Sequence, residues 1–129
     1  MEQYDPLLSR QVGNKMICVI CPVRNGVPNE VVEYVARLED HGIEVHFPPR
    51  DNPQDDPTGY YICDTMRAAI VRADEVHVFY SPDSQGCHFD LGMCFALGKK
   101  VKILNHEIDT TPNKSYVKVF LYANSKSIS

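Results

Sequence analysis

Lys15 is followed by six consecutive apolar residues, Met16 to Cys21, and Pro22 closes the run. A segment this short and uniformly apolar suits a strand buried on both faces, which is typical of parallel sheets covered by helices. No apolar run in the chain approaches the roughly 20 residues that a bilayer-spanning helix needs. A buried central strand therefore constrains the rest: further strands must flank it, and helices must cover it.

The remaining periodicities supply both. Pro28 to Asp40 places Val31, Val32, Val35 and Leu38 on one stripe with charges opposite, so it predicts an amphipathic helix stopped by His41-Gly42. Ile43 to Phe47 alternates and predicts a short second strand. Pro48 to Pro57 holds four prolines and three aspartates and reads as a loop without regular structure. Helical spacing resumes from Gly59 to Ala73 through Ile62, Met66, Ala69 and Ile70. Glu75 to Tyr80 predicts a third strand, and about Cys87 to Leu97 a third helix stopped by Gly98. Lys100 to Leu104 and Tyr116 to Tyr122 predict a fourth and a fifth strand. Strands alternating with helices imply right-handed βαβ units. The expectation is an α/β chain, residues 1–129 as one domain with its core at about 15–105. Its fold is a doubly wound, flavodoxin- or Rossmann-like parallel sheet of five strands in the order 2-1-3-4-5, with helices on both faces.

Charge narrows the function classes. With 13 Lys and Arg against 17 Asp and Glu, the chain carries a net charge of -4. That argues against sequence-independent nucleic-acid binding, which draws on clustered cations. The N-terminal Met-Glu-Gln-Tyr-Asp-Pro lacks the charged and apolar regions of a signal peptide. The five cysteines are odd in number and sit mostly in apolar segments, so reduced thiols in the cytoplasm are expected. The scattered histidines show no metal-ligand spacing, and neither a metal nor another cofactor is expected.

In a parallel sheet of this order, ligands bind beyond the carboxyl ends of strands one and three, where strand order reverses. Two unusual segments converge there. Cys21-Pro-Val-Arg-Asn-Gly26 places Arg24, Asn25 and Gly26 just before a helix, where backbone N–H groups and a bidentate guanidinium favour an anion such as phosphate. An ordinary turn with an exposed arginine is the alternative. The five residues between Cys18 and Arg24 match the spacing of phosphatase thiolate loops. Val19 and Ile20 belong to the strand, however, and no glycine lies between the two, so that chemistry is not expected. In the second segment Ser84 and Gly86 suit a helix start, with Asp90 in the first turn, where the dipole favours its ionised form. Asp90 then either complements the dipole or serves as a ligand-site carboxylate. The Pro48–Pro57 loop is either a lid carrying substrate contacts, with Arg50, Asp51, Asp55 and Asp56 as candidates, or a solvated connection.

Gly86-Cys-His-Phe-Asp-Leu-Gly-Met-Cys-Phe-Ala-Leu-Gly-Lys99 resembles the Gly-Thr-Ala-x-Glu-x-Gly-x-Ala-x-Ala-x-Gly-Lys signature of the nucleoside 2-deoxyribosyltransferase superfamily, which includes the 2'-deoxynucleoside 5'-phosphate N-hydrolases. Ala73-Asp-Glu-Val-His-Val78 is similar to that family's Ala-Asp-Val-Val-Val-Ala strand, and the Cys21 to Gly26 loop to the hydrolases' Cys-Gly-Ser-Ile-Arg-Gly-Gly. The matches span roughly residues 15–105 in order. The resemblance implies an N-glycosidase or deoxyribosyltransferase in which Asp90 attacks the sugar C1' as nucleophile. Arg24 and nearby backbone amides would hold a 5'-phosphate, and Ser84 would assist. It further implies a small-molecule nucleoside or nucleotide as partner. A homo-oligomer is expected too, with Tyr116 to Tyr122 and the tail contributing to neighbouring sites.

The sequence departs from the family at three places. Asp90 is one methylene shorter than the family's glutamate. Cys18 stands where the family has a supporting tyrosine, and Met66 where it has the aspartate that handles the leaving base. Asp64 lies on a different helical face, which leaves Asp83 or the lid aspartates for that role. The same pocket without catalysis would be a binding module for a nucleotide or nucleotide-derived signal.

Overall fold

The computed structural model describes residues 15–24, 26–105 and 112–128. Its centre is a parallel four-stranded sheet of β1 (Met16–Ile20), β2 (Glu44–His46), β3 (Glu75–Val78) and β4 (Val101–Ile103), ordered β2-β1-β3-β4. β1 pairs on both edges, with Met16 opposite Glu44 and Ile17 opposite Glu75, and β4 follows with Val76 opposite Val101. The helices are α1 (Asn29–Asp40), a single turn α2 (Pro48–Asp51), α3 (Tyr60–Arg72), α4 (Gln85–Ala96) and α5 (Tyr116–Ile128).

The period of two in β1 divides the core. Met16, Cys18 and Ile20 join Met66 and Ile70 of α3, Leu91 and Cys94 of α4, and Val117 and Phe120 of α5 in one apolar cluster. Ile17, Val19 and Cys21 join Val31 and Val35 of α1 and Val45 of β2 in a second. Every residue of β1 is buried, as its uniform composition requires.

Ends are fixed by short-range chemistry. The Asp56 carboxylate accepts the Tyr61 and Ile62 amides at 2.7 and 3.1 Å, capping α3 beside Gly59, whose φ of 79° few other residues adopt. The Lys99 ammonium donates to the Val71 and Ala73 carbonyls at 2.8 and 2.7 Å, satisfying the last turn of α3. The Asp74 carboxylate accepts the Met16 amide at 2.8 Å and ties the start of β1 to that of β3.

Three expectations are corrected. Residues 116–122 are not a fifth strand: they open helix α5, because Val117 and Phe120, three apart, are the pair that packs under the sheet. The 48–57 segment is not wholly irregular. Pro48 and Pro49 preset the first turn of α2, and the Asp51 carboxylate accepts the Phe47 amide at 2.8 Å. Helix α4 begins at Gln85, two residues earlier than expected, so Asp90 lies in its second turn and no acidic residue occupies the first.

Candidate active-site cleft

A cleft of about 620 Å³ opens beyond the carboxyl ends of β1 and β3. The loop after β1 supplies Pro22, Val23 and Arg24, the loop after β3 supplies Ser81, Asp83 and Ser84, and α4 contributes Gly86, Phe89 and Asp90. The structure thus brings five sequence-predicted residues to one place: Arg24, Asp83, Ser84, Gly86 and Asp90. Ser84 is the N-cap of α4, its hydroxyl accepting the Cys87 amide at 3.1 Å. That bond starts the helix at Gln85 and carries Asp90 round to the cleft wall.

Asp90 is half-buried, and its carboxyl meets no hydrogen-bond or ion-pair partner among the described residues. Burial alone pushes its pKa up to about 7. The expectation of a carboxylate kept ionised by the helix dipole is therefore overturned. In the second turn the free N–H groups of the helix start are out of reach, and desolvation decides. The surrounding wall explains this, since Ile62, Cys63 and Met66 of α3 and Phe89 of α4 offer carbon and sulfur rather than donors. Burial likewise raises the thiols facing it, Cys21 to about 12 and Cys63 in direction. Cys18, fully buried in β1, is raised further, so none of these is a thiolate nucleophile at neutral pH. All five cysteines are free.

Other predicted residues fall elsewhere. Gly26 closes a turn by donating to the Val23 carbonyl at 3.2 Å with φ 94°, but does not line the cleft. Asn25 lies outside the described residues. Arg50 is tied into the fold: it pairs with Glu39 at 3.0 Å and Asp51 at 2.9 Å and donates to the Val45 carbonyl at 3.0 Å. Asp55 is exposed and away from the cleft.

The 48–57 segment still reaches the cleft, through a residue the sequence did not single out. Asn52 is buried in the cleft wall, its side-chain oxygen accepting from His46 Nε2 at 2.6 Å and its amide directed at the Met66 sulfur at 3.7 Å. The Cys18 thiol approaches the same sulfur at 4.0 Å. Met66 is thus a packed wall residue held by β1 and by the Asn52 segment. Nothing in the run Pro-Pro-Arg-Asp-Asn-Pro-Gln-Asp-Asp-Pro marks Asn52 apart from its charged neighbours.

A solitary carboxyl titrating near neutrality, in a cleft that also holds a guanidinium and a second carboxylate, can act as nucleophile, proton donor or polar anchor. Among the described residues no group of three or more His, Cys, Asp or Glu side chains could hold a metal ion. No helix among them is long and apolar enough to cross a membrane. No protein-family model matches the chain, and none of the curated proteins matches it.

Proposed function

We propose that the cleft takes a nucleoside or nucleotide and that Asp90 cleaves its N-glycosidic bond. The observation that carries this reading is the Asp90 carboxyl itself, desolvated, without a hydrogen-bond or ion-pair partner among the described residues, and lining the same cleft as the phosphate-suited Arg24 loop. A carboxylate whose lone pairs are held in hydrogen bonds is a weaker nucleophile, and Asp90 has none among the described residues. The sheet order with its crevice at the strand reversal, as in doubly wound nucleotide-binding folds, supports the same reading.

In the proposed step one oxygen of ionised Asp90 forms a bond to the sugar C1' while the C1'–N bond breaks. The bonding pair leaves on the base nitrogen, which takes up a proton from solvent water. Water, or a second base, then attacks C1' and releases Asp90. Arg24 holds a 5'-phosphate and fixes the sugar. Because the nucleophile must be ionised and its pKa is about 7, kcat/KM rises with pH and reaches half its plateau near pH 7.

The test is release of free base from a panel of nucleosides and 5'-monophosphates, followed by chromatography across pH 5 to 9. Wild-type protein releases base along that profile, and Asp90→Asn does not. Base release equal in the two proteins removes Asp90 from the chemistry.

A binding module is the second reading, favoured by Met66, whose packed sulfur occupies the wall where an acid for the leaving base is wanted. It predicts a saturable nucleotide complex from which no base is ever released.

A further inference from the structure

A second cavity, of about 790 Å³, opens at the amino ends of the strands, where Lys15 precedes β1, Ile43 precedes β2, Glu75 begins β3 and Lys100 precedes β4. It shares no lining residue with the cleft. Its floor is a partly buried chain of hydrogen bonds centred on buried His77: the Tyr34 hydroxyl meets His77 Nδ1 at 2.6 Å, and His77 Nε2 meets Glu75 Oε1 at 2.8 Å. Burial works to raise the Glu75 carboxyl, but the His77 N–H, Lys15 and Lys100 outweigh it and hold the group below its ordinary value. An ionised carboxylate only accepts, so Nε2 carries the proton and Nδ1 accepts from Tyr34. The imidazole is neutral, because burial depresses its pKa more than Glu75 raises it.

Charge is unbalanced around this floor. Lys15 and Lys100 both reach Glu75 Oε2, each at 3.6 Å. Lys102 is exposed between buried Val101 and Ile103, is the register partner of His77, and makes no ion pair among the described residues. Three ammonium groups thus surround one carboxylate and a neutral imidazole, in a chain whose overall charge is -4. Gathering like charges around one cavity is unfavourable without a counter-charge. The excess of two positive charges matches a phosphate group, which carries about -1.5 to -2 near pH 7. Lysines suit it as mobile point charges. Ile17, Leu38 and Ile43 leave an apolar wall beside the cations.

We propose that this cavity is a second ligand site, taking a small molecule whose phosphate or pyrophosphate group lies between Lys15, Lys100 and Lys102 and whose apolar part rests on Ile17, Leu38 and Ile43. The site is independent of the cleft and of what the cleft binds.

Inorganic pyrophosphate is the probe, titrated into the full chain at constant ionic strength while backbone amide and histidine ring resonances are followed by NMR. Saturable shifts at the His77 ring and the Lys102 amide are expected, and the His77 titration midpoint moves upward in the complex. Lys102→Gln, an exposed change that leaves the core untouched, weakens binding about tenfold, the loss of one charge-assisted contact. Arg24→Ala binds as wild type does. The proposal is overturned by shifts confined to the Arg24 and Ser84 loops, by undiminished affinity in Lys102→Gln, or by no saturation up to about 10 mM.

Discussion

Asp90 shows how far one side chain's environment decides its chemistry. Its folded pKa of about 7 lies above the ~3.9 of an unfolded aspartate. The folded chain therefore holds that proton more tightly, a contribution to stability fully present below pH 4 and lost as pH rises through 7. Asp90→Asn removes the titration. Its stability relative to wild type is expected to grow by about 2–4 kcal/mol between pH 4 and pH 8, the lower figure allowing for solvent on the cleft side. Urea unfolding at the two pH values measures this, and a constant difference means that the carboxyl is not desolvated. The position of Asp90 at the cleft was legible in the sequence, through its place after Ser84 and the loop at the strand reversal. Its ionisation was not, because that depends on Ile62, Cys63 and Met66 of α3, brought in by packing rather than by neighbouring positions.

At the level of elements, the two lid aspartates separate cleanly. Asp56 caps α3 through two backbone amides, whereas Asp55 is exposed and makes no such bond. Asp56→Ala is expected to lower the melting temperature by roughly 4 °C, and Asp55→Ala by less than about 2 °C. Paired thermal melts check both. The buried strands and the amphipathic helices were readable because their periods are intrinsic to the chain. Residues 116–122 were not, since Tyr-Val-Lys-Val-Phe-Leu-Tyr satisfies strand alternation and helical spacing alike, and only the fit of Val117 and Phe120 against the sheet selects the helix. Arg50 in the Pro-rich segment was misjudged for a related reason. Its partners Glu39 and Val45 lie on α1 and β2, and no local pattern announces them.

For the whole molecule, an occupied cleft favours the folded state. A 5'-monophosphate at about 100 times its Kd is expected to add roughly 2.7 kcal/mol, seen as a rise in melting temperature. Arg24→Ala is expected to reduce that rise, and an unchanged rise means that the guanidinium does not hold the phosphate. The position of β1 has a different consequence, one that concerns assembly of the fold. It is the first described strand in the chain, yet it occupies the middle of the sheet, and its partner β3 lies 58 residues downstream at the Ile17–Glu75 pair. That pairing closes a long loop, a step that slows folding. During synthesis Met16 to Cys21 leaves the ribosome well before β3 exists to cover it. For that interval the nascent chain displays its most apolar segment, so a growing polypeptide halted before Glu75 is the form of this protein most prone to aggregate.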